Sequence, residues 1–137
     1  MRDYFEEISW PKTYIKEPPL QDLGLIVVIP SYKEINITDT LLCLSASSTS
    51  DMPIEVIIVV NGRETYSNET RDSNITTISE IKAIRSELAF NTHIIEELNL
   101  PAKTAGAGLA RKIGMDEAAR RFREVSRNGI IVALDAD

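Results

Sequence analysis

Two carboxylates one residue apart, Asp135 and Asp137, close the apolar run Gly129-Ile130-Ile131-Val132-Ala133-Leu134. Residues i and i+2 of an extended chain project to the same side, so the pair can share a hard divalent cation. A cation held there can in turn hold a diphosphate. The same pattern also describes a strand end that simply meets solvent, and the pair alone leaves both readings open. A second candidate is the turn Pro30-Ser31-Tyr32-Lys33-Glu34. Proline stops strand pairing, and the tyrosine after it offers a flat face on which a base can stack. The alternative is an ordinary strand-to-helix turn with a half-exposed tyrosine. A third is Gly106-Ala107-Gly108-Leu109-Ala110-Arg111. It fails as a dinucleotide fingerprint, because Arg111 takes the third glycine position and the segment follows a late strand. Small residues opening a helix can instead aim backbone N–H groups at an anion, with Arg111 and Lys112 nearby. A solvated basic pair is the alternative there.

The elements that must position these residues are legible in the hydrophobic pattern. Leu25-Ile26-Val27-Val28-Ile29, ended by Pro30, suits a central strand covered on both faces. A helix over 37–47 follows, with Ile37, Leu41, Leu44 and Cys43 on its apolar side and Asn36 or Thr38 as cap. Residues 54–60 form a second, β-branched strand that Asn61-Gly62 ends as a turn. Residues 63–75 are polar and predict a mobile loop. Thr77-x-x-Glu80 predicts a capping box for a helix carrying Ile81, Ile84 and Leu88. Residues 93–98 read as a shorter strand near an edge, 101–108 as a loop, and 109–124 as an amphipathic helix. A buried fourth strand then runs into Asp135. Strands alternating with helices predict an α/β fold, Rossmann-like, with a mainly parallel sheet and flanking helices. Residues 1–23 predict an irregular lead-in, with Tyr4, Phe5, Trp10 and Tyr14 docked on the domain of residues 24–137. Parallel strands bring their carboxyl ends to one edge, so the three candidate segments and Asn61 converge there.

Bulk properties narrow the function classes. A chain of 137 residues holds one domain with a real core. The net charge of −6 and the scattered Lys and Arg argue against a nucleic-acid partner. Cys43 is the only cysteine, so no internal disulfide forms, as suits a reducing compartment. The first ten residues are polar and acidic, unlike a secretory signal, and no apolar run approaches the ~20 residues that span a bilayer. Cytoplasmic location is the expectation. The sequons at Asn36, Asn68 and Asn74 read as chance, and His93 as structural or surface. GxSxG, HExxH, Walker A and zinc-spaced Cys/His motifs do not occur.

Taken in order, these segments resemble the inverting family 2 glycosyltransferases of the GT-A fold. The opening strand and turn stand as Val27-Val28-Ile29-Pro30-Ser31-Tyr32-Lys33-Glu34. The second strand and its turn stand as Ile57-Ile58-Val59-Val60-Asn61-Gly62. The family's Ala-Arg helix looks like Gly106 to Ala118, and its Asp-x-Asp motif is matched by Asp135-Ala136-Asp137. The likeness covers roughly residues 24–137. Lys33 stands where the family usually has Asn, and Val60-Asn61 where it has an acidic pair.

The resemblance implies a nucleotide-sugar-binding region. Tyr32 would pack on the nucleotide base, Pro30 would count among the cofactor-binding residues, Glu34 would help fix the nucleoside, and Asn61 would stand at the base-reading position. Arg111 would sit near the diphosphate. Asp135 would approach the ribose or metal-bound water, and Asp137 would ligate Mn2+ or Mg2+. The implied donor is a UDP-sugar in the first place, or a GDP-sugar. The acceptor would be a saccharide or lipid-linked hydroxyl compound, met by a longer enzyme that works in the cytoplasm or at the cytoplasmic membrane face. The catalytic base is expected beyond Asp137, and Glu34, Glu96 and Asp116 are not assigned that role. On this expectation the 137 residues bind a nucleotide sugar weakly at most and transfer nothing. Two other classes compete. A sugar-nucleotide pyrophosphorylase would carry a glycine-rich loop after the first strand, and Pro30 to Glu34 has no glycine. A non-catalytic module would have its fourth strand completed by a partner chain.

Overall fold

The computed structural model describes residues 4–47 and 52–135. A short helix, α1 (Tyr4–Glu7), opens the lead-in. The alternating core follows: β1 (Leu25–Ser31), α2 (Ile37–Ser47), β2 (Ile54–Arg63), α3 (Asn68–Ile84), β3 (Asn91–Leu100), α4 (Ala107–Glu124) and β4 (Ile130–Ala133). All four strands are parallel, in the order β3-β2-β1-β4. The sheet thus grows outward from β1 in one direction, and the chain then returns across β1 to place β4 on its other side.

Strict alternation along the strands builds two cores. Ile26, Val28, Ile57 and Val59 face α4, together with Ile95, Ala110, Ile113, Ala118 and Phe122. Val27, Ile29, Val56, Ile58 and Val60 face the opposite side, against Ile37 and Leu41 of α2 and Ile78 and Ile81 of α3. Right-handed crossovers that reverse direction across a sheet put their helices on opposite faces, as α3 and α4 are here. Gly114 lets α4 lie close on the sheet. A Cβ at that position would come within 2.4 Å of a Val28 methyl and 3.0 Å of a Val59 methyl.

Five expectations are corrected. The polar stretch 63–75 is not a loop: α3 starts at Asn68, capped by Ser67, whose side chain accepts from the Thr70 N–H. Thr77 and Glu80 therefore sit inside α3 and open nothing. Asn61-Gly62 does not end β2, which continues to Arg63 through a register shift. Likewise β1 runs on through Pro30 to Ser31. Val28 O accepts from Leu134 N, so Pro30, two residues on, also faces the β4 side. The β1–β4 ladder has ended by then, and no partner misses the proline's N–H. Fourth, β4 is not buried. It pairs on one side only, and Ile130 and Val132 are 58% and 41% exposed. Last, Cys43 is exposed rather than part of the core.

The lead-in lies against α4 and is held by polar groups of that helix. Asp116 accepts from the Tyr4 hydroxyl at 2.5 Å and from the Trp10 N–H at 2.8 Å. Glu117 accepts from the backbone N–H groups of Tyr14 and Ile15. Arg120 donates to the carbonyls of Trp10 and Lys12. Burial would raise the Asp116 pKa, but Tyr4, the Trp10 N–H and Lys112 outweigh it and hold the carboxyl below its ordinary range.

Candidate functional site

The carboxyl ends of β1 and β2, the start of α4 and the end of β4 surround one cleft of about 270 Å3. Pro30, Tyr32, Glu34, Asn61, Ala107, Arg111 and Asp135 line it. Six of these seven are the described residues singled out from the sequence. Asp137, the seventh nominated position, lies outside the described residues. The cleft lies at the carboxyl ends of the strands, where the strand order reverses across β1, the place where open α/β sheets receive ligands.

Each wall has a local cause. Gly106 caps α4 with φ 142°, a region open to glycine and costly for other residues. Added Cβ atoms at Gly106 or Gly108 would meet nothing within 4 Å, so the amino end of α4 is uncrowded. Its free N–H groups and the positive end of the helix dipole favour an anion. Arg111, one turn in, reaches Asp135 with a single contact of 3.1 Å, and both side chains are largely exposed. Lys112, expected beside Arg111, turns away instead. It binds Asp116 at 3.1 Å and the Tyr4 hydroxyl, which raise its pKa and tie it to the lead-in.

Opposite this basic wall is an aromatic one. The Tyr32 ring lies 4.8 Å from that of Tyr66 at a tilt of 38°. The Arg63 guanidinium lies over the outer ring, 5.1 Å from its centroid. Partial burial and the contact with Tyr66 raise the Tyr32 phenol pKa, so it stays a neutral hydroxyl at ordinary pH. Between Tyr32 and Glu34, Lys33 adopts φ 51°, a left-handed conformation that costs a non-glycine residue about 1 kcal/mol or more. Its N–H is received by the Asn74 side-chain oxygen at 2.9 Å.

Asn61 is inside β2 and almost fully buried. Its amide nitrogen donates to Ser31 O at 3.0 Å and Val59 O at 3.3 Å, joining the ends of β1 and β2. The residues that hold the site were missed in the sequence. Tyr66 and Arg63 fell in the stretch read as a loop, and Asn74 was dismissed as a chance sequon. The available signal was Ser67 with Glu69 in the turn after it, an N-cap pattern starting a run without glycine or proline.

Among the described residues no three His, Cys, Asp or Glu side chains gather as a metal cluster. Asp135 does present an exposed hard oxygen donor at the cleft. That fits the kind of Mg2+ or Mn2+ site in which one or two carboxylates share the ion with substrate phosphates. His93 is far from this edge. It lies beside the buried Glu55 and the lead-in's Glu17, at 3.5 and 3.9 Å. No helix among the described residues is long and apolar enough to cross a membrane.

No family model matches this chain. Neither a curated protein nor a solved structure matches it.

Proposed function

We propose that the cleft binds the nucleoside diphosphate of a sugar donor, and that the chain is the donor-binding region of a glycosyltransferase. The observation that carries this reading is the convergence of Pro30, Tyr32, Glu34, Asn61, Arg111 and Asp135 on one cleft at the sheet's point of reversal. A planar base would stack on Tyr32, whose ring is backed by Tyr66. Glu34 and Asn61 offer polar atoms to the nucleoside. The amino end of α4 and Arg111 receive the diphosphate. Asp135, with Asp137 two residues on, would hold the divalent cation. A divalent cation held there would supply charge neutralisation for the diphosphate as the leaving group. The chemistry needs a base to take the hydroxyl proton, and none of the cleft residues is given that role. Titration calorimetry with UDP- and GDP-sugars in the presence of Mn2+ tests the reading: heat at millimolar ligand is expected, and its absence in both series rejects donor binding.

A second reading draws on the exposed apolar residues of β4. An edge strand of this kind invites pairing, and a partner chain completing the sheet would make this an assembly module. A strictly monomeric species in solution speaks against it.

A further inference from the structure

Three α3 residues share one buried polar stripe: Thr70, Asn74 and Thr77. Their spacing of four and three residues puts them on a single helix face. That stripe meets the turn after β1 nearly residue by residue. Thr70 lies near the Tyr32 hydroxyl, Asn74 accepts from the Lys33 N–H, and Thr77 donates to Glu34 O at 2.9 Å. Asn74 also donates through its amide nitrogen to Asn61 O at 3.0 Å. One side chain thus ties the left-handed turn of β1 to the end of β2.

We infer that Asn74 is a positioning residue for the ligand cleft, and that it sets where Tyr32 and Glu34 stand by holding Lys33 left-handed. The inference rests on the donor-binding reading for its ligand, though not for its geometry. Tyr32 and Glu34 both line the cleft, and Lys33 is the single residue between them. A change of sign in its φ would redirect both neighbours at once. The strained conformation persists only while its surroundings over-determine it. Asn74 supplies the acceptor that Lys33 needs there and, through the Asn61 carbonyl, ties that turn to the end of β2. Asn74 itself touches no ligand: its side chain is buried and both of its polar ends are bound to backbone.

The test compares the whole chain with Asn74→Ala and Asn74→Asp, using amide hydrogen exchange at Lys33 and calorimetry with UDP plus Mn2+. Ile81→Val, a core change distant from the cleft, controls for lost stability. Asn74→Ala is expected to speed Lys33 exchange at least tenfold and to weaken UDP about tenfold, beyond any change in Ile81→Val. Asn74→Asp keeps the acceptor for Lys33, so Lys33 protection is expected to return while the tie to Asn61 stays broken. Should Asn74→Ala not fold, Thr77→Val removes the adjacent Glu34 contact and is expected to weaken UDP with Lys33 still protected. Lys33 protection unchanged in Asn74→Ala, or affinity equal to that of Ile81→Val, overturns the inference. If the unmodified chain binds no UDP or GDP, the donor-binding reading falls, and Lys33 exchange alone decides whether Asn74 holds the turn.

Discussion

Two of the arginine–carboxylate pairs among the described residues lie at opposite ends of the sheet's strands, and they differ in how completely they are satisfied. Glu55 of β2 and Arg121 of α4 are 1% and 3% exposed. Arg121 grips both carboxylate oxygens, at 2.6 and 2.9 Å, and its remaining nitrogen donates to Glu17 O of the lead-in. Burial alone would raise the Glu55 pKa, but His93 and Arg121 overcome it and hold the carboxyl below its usual range. Asp135 and Arg111 make one contact of 3.1 Å, at 65% and 41% exposure. The first pair is buried and its hydrogen-bonding groups are engaged, as suits a structural role. The second has unused oxygens and N–H groups facing a cleft, so an incoming phosphate or cation can take over its partners at little cost. Two arginine–carboxylate pairs of the same charge thus separate by saturation and solvent access.

Breaking the buried pair gives the largest effect. Arg121→Ala leaves Glu55 charged, buried and half-satisfied, which destabilises the fold by about 3–5 kcal/mol; the denaturant midpoint is the readout. Gly114→Ala comes next. It pushes a methyl group into Val28 and Val59 under α4, with an expected loss of about 1–3 kcal/mol in the same assay. The lead-in responds to acid more gently. The Asp116 pKa is depressed in the folded state, so its contribution is complete above the ordinary carboxylate value of ~4 and is lost as pH falls through the lower folded value. Trp10, the only tryptophan, reports this release by fluorescence, and Asp116→Asn should flatten the acid transition. The smallest stability effect belongs to the exposed pair: Arg111→Ala or Asp135→Asn should cost less than about 1 kcal/mol.

The sheet was legible because β-branched apolar runs are hard to place anywhere but in buried strands, and the six described cleft residues followed once those strands were taken as parallel. The turn's support was not legible. The first half of α3 uses Thr70 and Asn74 where an amphipathic helix would show aliphatic residues, so the 3.6-residue apolar period is missing where the helix starts. A buried polar stripe looks like a loop in the sequence, because its partners are backbone groups distant in the chain. The burial of β4 was also misread. Its apolar run matches that of a central strand, but neighbour count is a property of topology, and the order β3-β2-β1-β4 leaves it at an edge.

The central claim is that the exposed pair serves a ligand while the buried pair serves the fold. Calorimetry of UDP and GDP with Mn2+ on the unmodified chain and on Asp135→Asn tests it most directly. The account predicts binding by the unmodified chain, at least tenfold weaker in Asp135→Asn, with the unfolding midpoint hardly moved. Equal affinity in the two proteins, or binding lost only in step with stability, would contradict it.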